Sequence, residues 1–478
     1  MKKIMTRLLS LVLLGTFIPS YVLAADWDLD KGSITVSATV ESQTVSQAGG
    51  SPTVDSNPVI TSSSGTTNNT VTITAEKNAT ANVTLENVNI DTGKIGGAAI
   101  TTSGEGNVNI ELDGTNTVQS GNTHAGVEKK GDGTLTITDE NKDGSLTATG
   151  GNGGAGIGGG SGGSGSNITI EGGKIEANGG NFGAGIGGGQ GGSGSGITIK
   201  GGNVTAQSSW SGAGIGGGGG GSGNNITISD GEVTAKGGTF GAGIGGGGDG
   251  GGGNNITIDG GKVTAQGGNN GAGIGGGFRS NGIGITISGD AQVKAQGGAE
   301  YSVFKEGAAI GNGGTPTTEG NEVSPNTSDL TVDGFIQIYE PGKNINTDTP
   351  DRTITGTVGN HSWNAGVVTA ETVPESKTAA YWVCDPEGQS IPYQAQQKDG
   401  VLTITVQADT ASLRGTTGSL GQLEAQGITE IRFVTKGAQS AFTLADLLAS
   451  GTGSFTLTHE AETVIFTLES TDISKILK

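Results

Sequence analysis

Apolar residues fall at every second place in Ile168-Thr169-Ile170 and again in Lys174-Ile175-Glu176-Ala177, the period of a half-buried strand. Gly172-Gly173 and Gly179-Gly180 follow these segments, and glycine supplies the positive φ that a sharp corner needs. A third short segment, Ala184-Gly185-Ile186, completes the unit, which then repeats. The isoleucine of its Gly-Ala-Gly-Ile-Gly-Gly-Gly motif stands at Ile157, Ile186, Ile215, Ile244 and Ile274, at spacings of 29, 29, 29 and 30 residues. Three strands and three turns at a fixed period predict an all-β chain, a right-handed parallel β-helix of about eight coils in which each unit buries its apolar face only against its neighbours.

The predicted inward file is Ile168, Ile170, Ile175, Ala177, Ala184 and Ile186. It is answered one unit later by Ile197, Ile199, Val204, Ala206, Ala213 and Ile215. Less regular copies begin near Val71 and continue to about Ile338. The pattern loosens where Ala308-Ala309-Ile310 comes 36 residues after its predecessor. Residues 25–70 read as a cap or irregular first coil, since the first rung of a stack has an open edge. Residues 71–340 form the helix proper, and the charged, Pro-bearing segment after Glu340 marks a boundary. Residues 341–478 read as a mostly-β module, with strands at Val401–Val406 and Phe455–Thr458 and helical spacing over Phe442–Leu448.

Residues 1–24 carry Lys2, Lys3 and Arg7, an apolar run from Leu8 to Phe17, and Val22-Leu23-Ala24 before Ala25. This is the pattern of a secretory signal peptide cleaved after Ala24, so the mature protein is expected outside the cell, free or on the cell surface. No later apolar run is long enough for a membrane-spanning helix. With 97 glycines in 478 residues and 4% aromatics, a large aromatic core is not expected. The net charge of −20 offers no basic stripe for nucleic acid. A monomer is expected. Cys384, the single cysteine, reads as a small buried hydrophobe.

Two outward features are candidates for binding. Thr169, Thr198, Thr227, Thr257 and Thr286 recur on strand one and continue Thr136. Such a file suits a periodic ligand, although threonine also suits a strand for its own sake. Phe182, Trp210 and Phe240 precede the third strand in successive units, and sugars stack on exposed aromatic faces. Counting alternation back from Ile186 and Ile244 turns Phe182 and Phe240 inward, as core filling, and leaves Trp210 outward. The outward glycines of the third strand, Gly185 and Gly187 with their equivalents, suggest that another backbone lies close. The natural candidate is the Gly/Ser loop that follows, folded back as a second layer.

Catalysis finds little support: Glu171, Glu176, Asp230, Glu232, Asp249, Asp259 and Asp290 are scattered, and His124, His361 and His459 read as solvated. Gly247-Gly248-Asp249-Gly250 lacks the recurring aspartate of a calcium-binding glycine repeat. Turn Asp and Asn side chains leave isolated calcium ions open.

The motif together with Asn254-Asn255-Ile256-Thr257-Ile258-Asp259-Gly260-Gly261-Lys262-Val263-Thr264-Ala265-Gln266 resembles secreted bacterial carbohydrate-binding β-helix proteins, which share the pectate-lyase-like fold without its catalytic site. The resemblance implies binding of plant cell-wall polysaccharides such as cellulose and pectin, with calcium bound. Three functions stay open: non-catalytic binding of a polysaccharide or cell-surface glycan, an adhesin or structural repeat protein for a protein or host surface, and a divergent polysaccharide lyase or glycosidase.

Overall fold

The computed structural model describes residues 26–289, 291–301, 305–315, 330–332, 335–355, 381–384, 393–398, 400–417, 420–424, 427–460, 463–469 and 471–478. The expected signal peptide lies outside them. The repeats build three sheets of 11, 10 and 12 strands. One coil contributes Gly165–Ile170 to the first sheet, Lys174–Asn178 to the second and Ile186–Gly187 to the third. Equivalent positions lie directly over one another. Ile168 pairs with Ile197, then Ile226, Ile256 and Ile285. Ala177 leads to Ala206, Ala235, Ala265 and Ala295, and Ile157 to Ile186, Ile215, Ile244 and Ile274. All these side chains are at most 1% exposed, so the aliphatic files make one continuous core along the axis. The 36-residue unit does not break the stack, because Ile274 still pairs with Ile310.

The stack is longer than eight coils. Asp26–Asp28 pairs in parallel with Val59–Thr61, and Ile34–Ala38 with Val71–Ala75, so the segment before residue 71 already supplies coil strands. Gln43–Gln47 and Thr53–Val54 then run antiparallel outside Ile34–Ala38 and finish the third sheet. At the other end Arg352–Thr355 lies antiparallel on Phe335–Tyr339. Both ends thus reverse strand direction, which blocks continued parallel stacking on those two sheets.

The third strand is fully buried, and its outward glycines lie against the backbone of the neighbouring coil. A Cβ on Gly187, whose φ is +132°, would stand 2.0 Å from the Gly216 carbonyl oxygen, and one on Gly185 2.6 Å from that of Gly214. The glycine loop after the strand returns over it. Gln190 N donates to Gly153 O at 2.8 Å, Gly219 N to Phe182 O at 2.7 Å and Gly248 N to Ser211 O at 2.7 Å, which ties each loop to the turn on the strand's other flank. The loops also stack on one another, with Gly189 N donating to Gly163 O, Gly218 N to Gly192 O and Gly247 N to Gly221 O, each at 3.0 Å. Side chains are excluded at Gly185 and Gly187 because the equivalent glycines of successive coils meet backbone to backbone.

The C-terminal residues form a five-stranded and a four-stranded sheet around Phe433, Phe442, Phe455 and Phe466, all fully buried. The helical spacing after Phe442 is realised later than expected. Gln439–Thr443 remains a strand, Thr443 caps, and the helix is Leu444–Ser450. Cys384 is buried.

Candidate functional site

The turn that joins the second strand of a coil to its third forms one corner of the helix, and the polar and aromatic side chains that stand out from the stack collect there. Strand two ends in a file of amide and hydroxyl side chains broken by one lysine, Thr149, Asn178, Gln207, Lys236, Gln266 and Gln296, in register coil on coil. These positions face outward because they follow the inward alanine by one residue. The amides bond along the axis: Gln207 Nε2 donates to Asn178 Oδ1 at 2.6 Å, and Gln266 Nε2 to Gln296 Oε1 at 2.9 Å. A parallel rung stands on the turn itself, where Asn181 Nδ2 donates to Asn152 Oδ1 at 2.8 Å. Each primary amide has two donors and two lone pairs, so one such bond leaves capacity for a ligand.

Between the two files runs a groove of about 680 Å³, bounded by Asn122 and Asn152, Thr149 and Asn178, and Gln207 with Ser208 among others. That volume lies within the usual range for ligand clefts. None of its lining side chains is ionisable. Ser208 Oγ is buried and makes no hydrogen bond within the protein, in a class of atom that is normally paired.

The next coils continue the corner with aromatic rings. Trp210 N and Ser211 N both donate to Asn181 O, and Phe240 N donates to Trp210 O at 2.9 Å, so the backbone ladder carries the rings upward coil by coil. Trp210 meets Phe240 edge-on at 5.4 Å between centroids and 87°. Phe240 also meets Phe278 at 5.5 Å and Tyr301 at 5.7 Å, and the Arg279 guanidinium lies 4.8 Å from the Phe278 ring centre. Trp210 is 41% and Tyr301 39% exposed.

The inward assignment of Phe182 and Phe240 is corrected. Both are half-buried and stand outside the aliphatic core. Parity counts only within extended backbone, and Asn181–Gly183 is a bend that resets it. Phe182 lies at the corner, its carbonyl holding Gly219 N. Phe278 and Tyr301 were missed because Phe278 sits in a glycine loop and Tyr301 in the irregular insertion, where the repeat gives no guidance. The amide file is visible in the sequence as Asn178, Gln207, Gln266 and Gln296, at one position of each unit except that of Lys236.

Thr169, Thr198, Thr227, Thr257 and Thr286 do stack, half-buried, on the first sheet. A second file, Thr205, Thr234 and Thr264, lies on the second sheet, interrupted by Glu176 below and Lys294 above. The two files occupy different faces and do not form one flat array with each other.

Two histidines read as solvated are engaged. His459 is fully buried, with Nε2 2.7 Å from Ser440 Oγ, Nδ1 3.1 Å from Thr435 Oγ1, and the Phe433 ring at 4.8 Å. Burial holds its pKa down to about 4. His124 Nδ1 lies 2.6 Å from Glu128 Oε2, while Lys130 Nζ lies 2.9 Å from Oε1 and Ala125 N donates at 3.2 Å. Glu128 is a buried carboxylate held by opposite charge and a backbone donor, which is a structural arrangement. His361 lies outside the described residues. Among the described residues no group of three or more His, Cys, Asp or Glu side chains gathers as a metal site. No helix there is long and apolar enough to cross a membrane.

A family model described as beta helix repeat matches residues 142–161, 168–190, 197–219, 226–248, 256–278 and 285–314. No curated protein and no solved structure matches the chain. The matched segments are stacked coils of the helix, and the chain is an all-β parallel β-helix built of such repeats, with a small β module of antiparallel sheets at its C-terminal end.

Proposed function

We propose that the protein is an exported, non-catalytic binder of carbohydrate, and that it holds its ligand on the corner formed by the turns before the third strand. The observation that carries this reading is the exposed aromatic row, with Trp210 and Tyr301 both packed edge-on against Phe240. A partly exposed ring already fixed by its neighbours offers an apolar face to a sugar at little ordering cost. The amide groove beside it adds the directional hydrogen bonds that sugar hydroxyls require. The threonine file of the first sheet supports the reading less, since its side chains are half-buried and bring neither an aromatic face nor a concavity.

The resemblance-based expectation of calcium has no acidic cluster to rest on among the described residues. A glycan array read together with a reducing-sugar assay on the same preparation tests the proposal. Glycan binding without product, lost in Trp210→Ala, is the expected result. Product formation would favour a divergent lyase or glycosidase, and binding to proteins without any glycan would favour an adhesin.

A further inference from the structure

We propose that the ligand of this corner is a linear neutral polysaccharide laid along the stack axis, with one stretch in the amide groove and the next on the aromatic row. The inference rests on the carbohydrate-binding reading and adds to it the charge class of the ligand, its direction and a second subsite.

Direction follows from register. The groove spans the turns of successive coils, from Asn122 through Asn152 and Asn181 to Ser209, and Trp210 is the very next residue. Phe240 and Tyr301 extend the same corner. Coils stack about 4.8 Å apart, and six steps separate the coil of Asn122 from that of Tyr301, so the continuous strip is about 29 Å long. A compact ligand would use only part of it.

Charge class follows from the lining. Every side chain bounding the groove is an amide, a hydroxyl or glycine. A uronate polymer would have to shed water from one carboxylate per sugar against a wall that holds no cation, in a chain of net charge −20, and an unpaired carboxylate resists that transfer. Glu176 Oε1 accepts from Asn178 Nδ2 at 3.2 Å beside the groove, which adds negative charge at its rim. Lys236 is the one cation in the amide file. Near the aromatic row Arg279 lies over Phe278 and Lys305 pairs with Glu300 at 2.5 Å. A neutral sugar meets no such cost. Its hydroxyls match the spare capacity of Asn178, Asn181 and Gln207, and Ser208 Oγ is a buried hydroxyl in the same wall whose hydrogen bond the protein does not supply.

Calorimetric titration of the mature chain tests this with cellohexaose, mannohexaose and laminarihexaose on one side and hexagalacturonate, with and without calcium, on the other. The expected result is binding of a neutral hexaose with little dependence on salt, and no binding of the uronate. Asn181→Ala and Gln207→Ala, checked for an unchanged circular dichroism spectrum, should weaken the hexaose about tenfold or more and leave the corresponding trisaccharide, held on the aromatic row, unaffected. Tighter binding of hexagalacturonate, or hexaose affinity unchanged in both groove variants while Trp210→Ala abolishes it, overturns this inference and leaves the carbohydrate reading standing. If no glycan of either class binds the wild-type chain, both fall together.

Discussion

Trp210 and Phe240 stand one coil apart in the chain and in edge-to-face contact in space, their centroids 5.4 Å apart at 87°, with Phe240 N donating to Trp210 O beneath the rings. The contact orients the exposed indole without burying it. Trp210→Ala removes a pair contributing about 0.5–1.5 kcal/mol, so the thermal midpoint should fall only slightly. Affinity for glycan should fall far more, by at least about tenfold. Differential scanning calorimetry and titration on the same variant separate the two effects.

Close stacking of successive coils makes a sharp distinction among glycines that look alike in the sequence. Gly187 and Gly191 both have positive φ, +132° and +74°. A Cβ at Gly187 would lie 2.0 Å from Gly216 O, whereas one at Gly191 meets nothing within 4 Å. Gly191→Ala should cost about 1–2 kcal/mol from backbone strain. Gly187→Ala adds a clash that cannot relax without separating two coils, and should cost about 3 kcal/mol or more. Urea denaturation of the two variants checks the order, and equal costs would argue against this coil-to-coil contact.

Ile215 is fully buried between Ile186 and Ile244. Ile215→Ala should destabilise the stack by about 2–5 kcal/mol. Because each coil contacts only its neighbours, native-state hydrogen exchange should quicken most in the adjoining coils, with the C-terminal module unaffected.

His459 sets a pH dependence for that module. Its pKa is about 4 in the folded protein against about 6.5 when unfolded, so protonation favours the unfolded chain. The neutral imidazole's contribution is complete above about pH 6.5 and is lost progressively as pH falls toward 4. His459→Gln should therefore be less stable than wild type at neutral pH, with the gap in denaturation midpoint narrowing on acidification. A gap that stayed constant from pH 7 to 4 would contradict this assignment.

The coils were legible from the sequence because a repeat states its register many times over. Ile157 and its four successors share one environment, so alternation within each strand told inside from outside correctly. The same logic failed at Phe182 and Phe240, since a bend separates them from the isoleucine used as reference. It had nothing to say about Tyr301, which arises from an insertion with no counterpart in other coils. His459 was misjudged for another reason: its partners Thr435 and Ser440 come from the neighbouring sheet, and no local pattern announces a cross-sheet pair of hydroxyls.

Which face binds is the claim on which the functional account turns, and hydroxyl-radical footprinting of the protein, with and without a saturating neutral hexaose, addresses it directly. Trp210 and Tyr301, each about two-fifths exposed in the free protein, should be protected by the ligand, while exposed residues elsewhere, such as Val40 and Ile283, should oxidise as before. Unchanged oxidation of Trp210 and Tyr301 in a chain that demonstrably binds the glycan would contradict the account and move the site to another face of the helix.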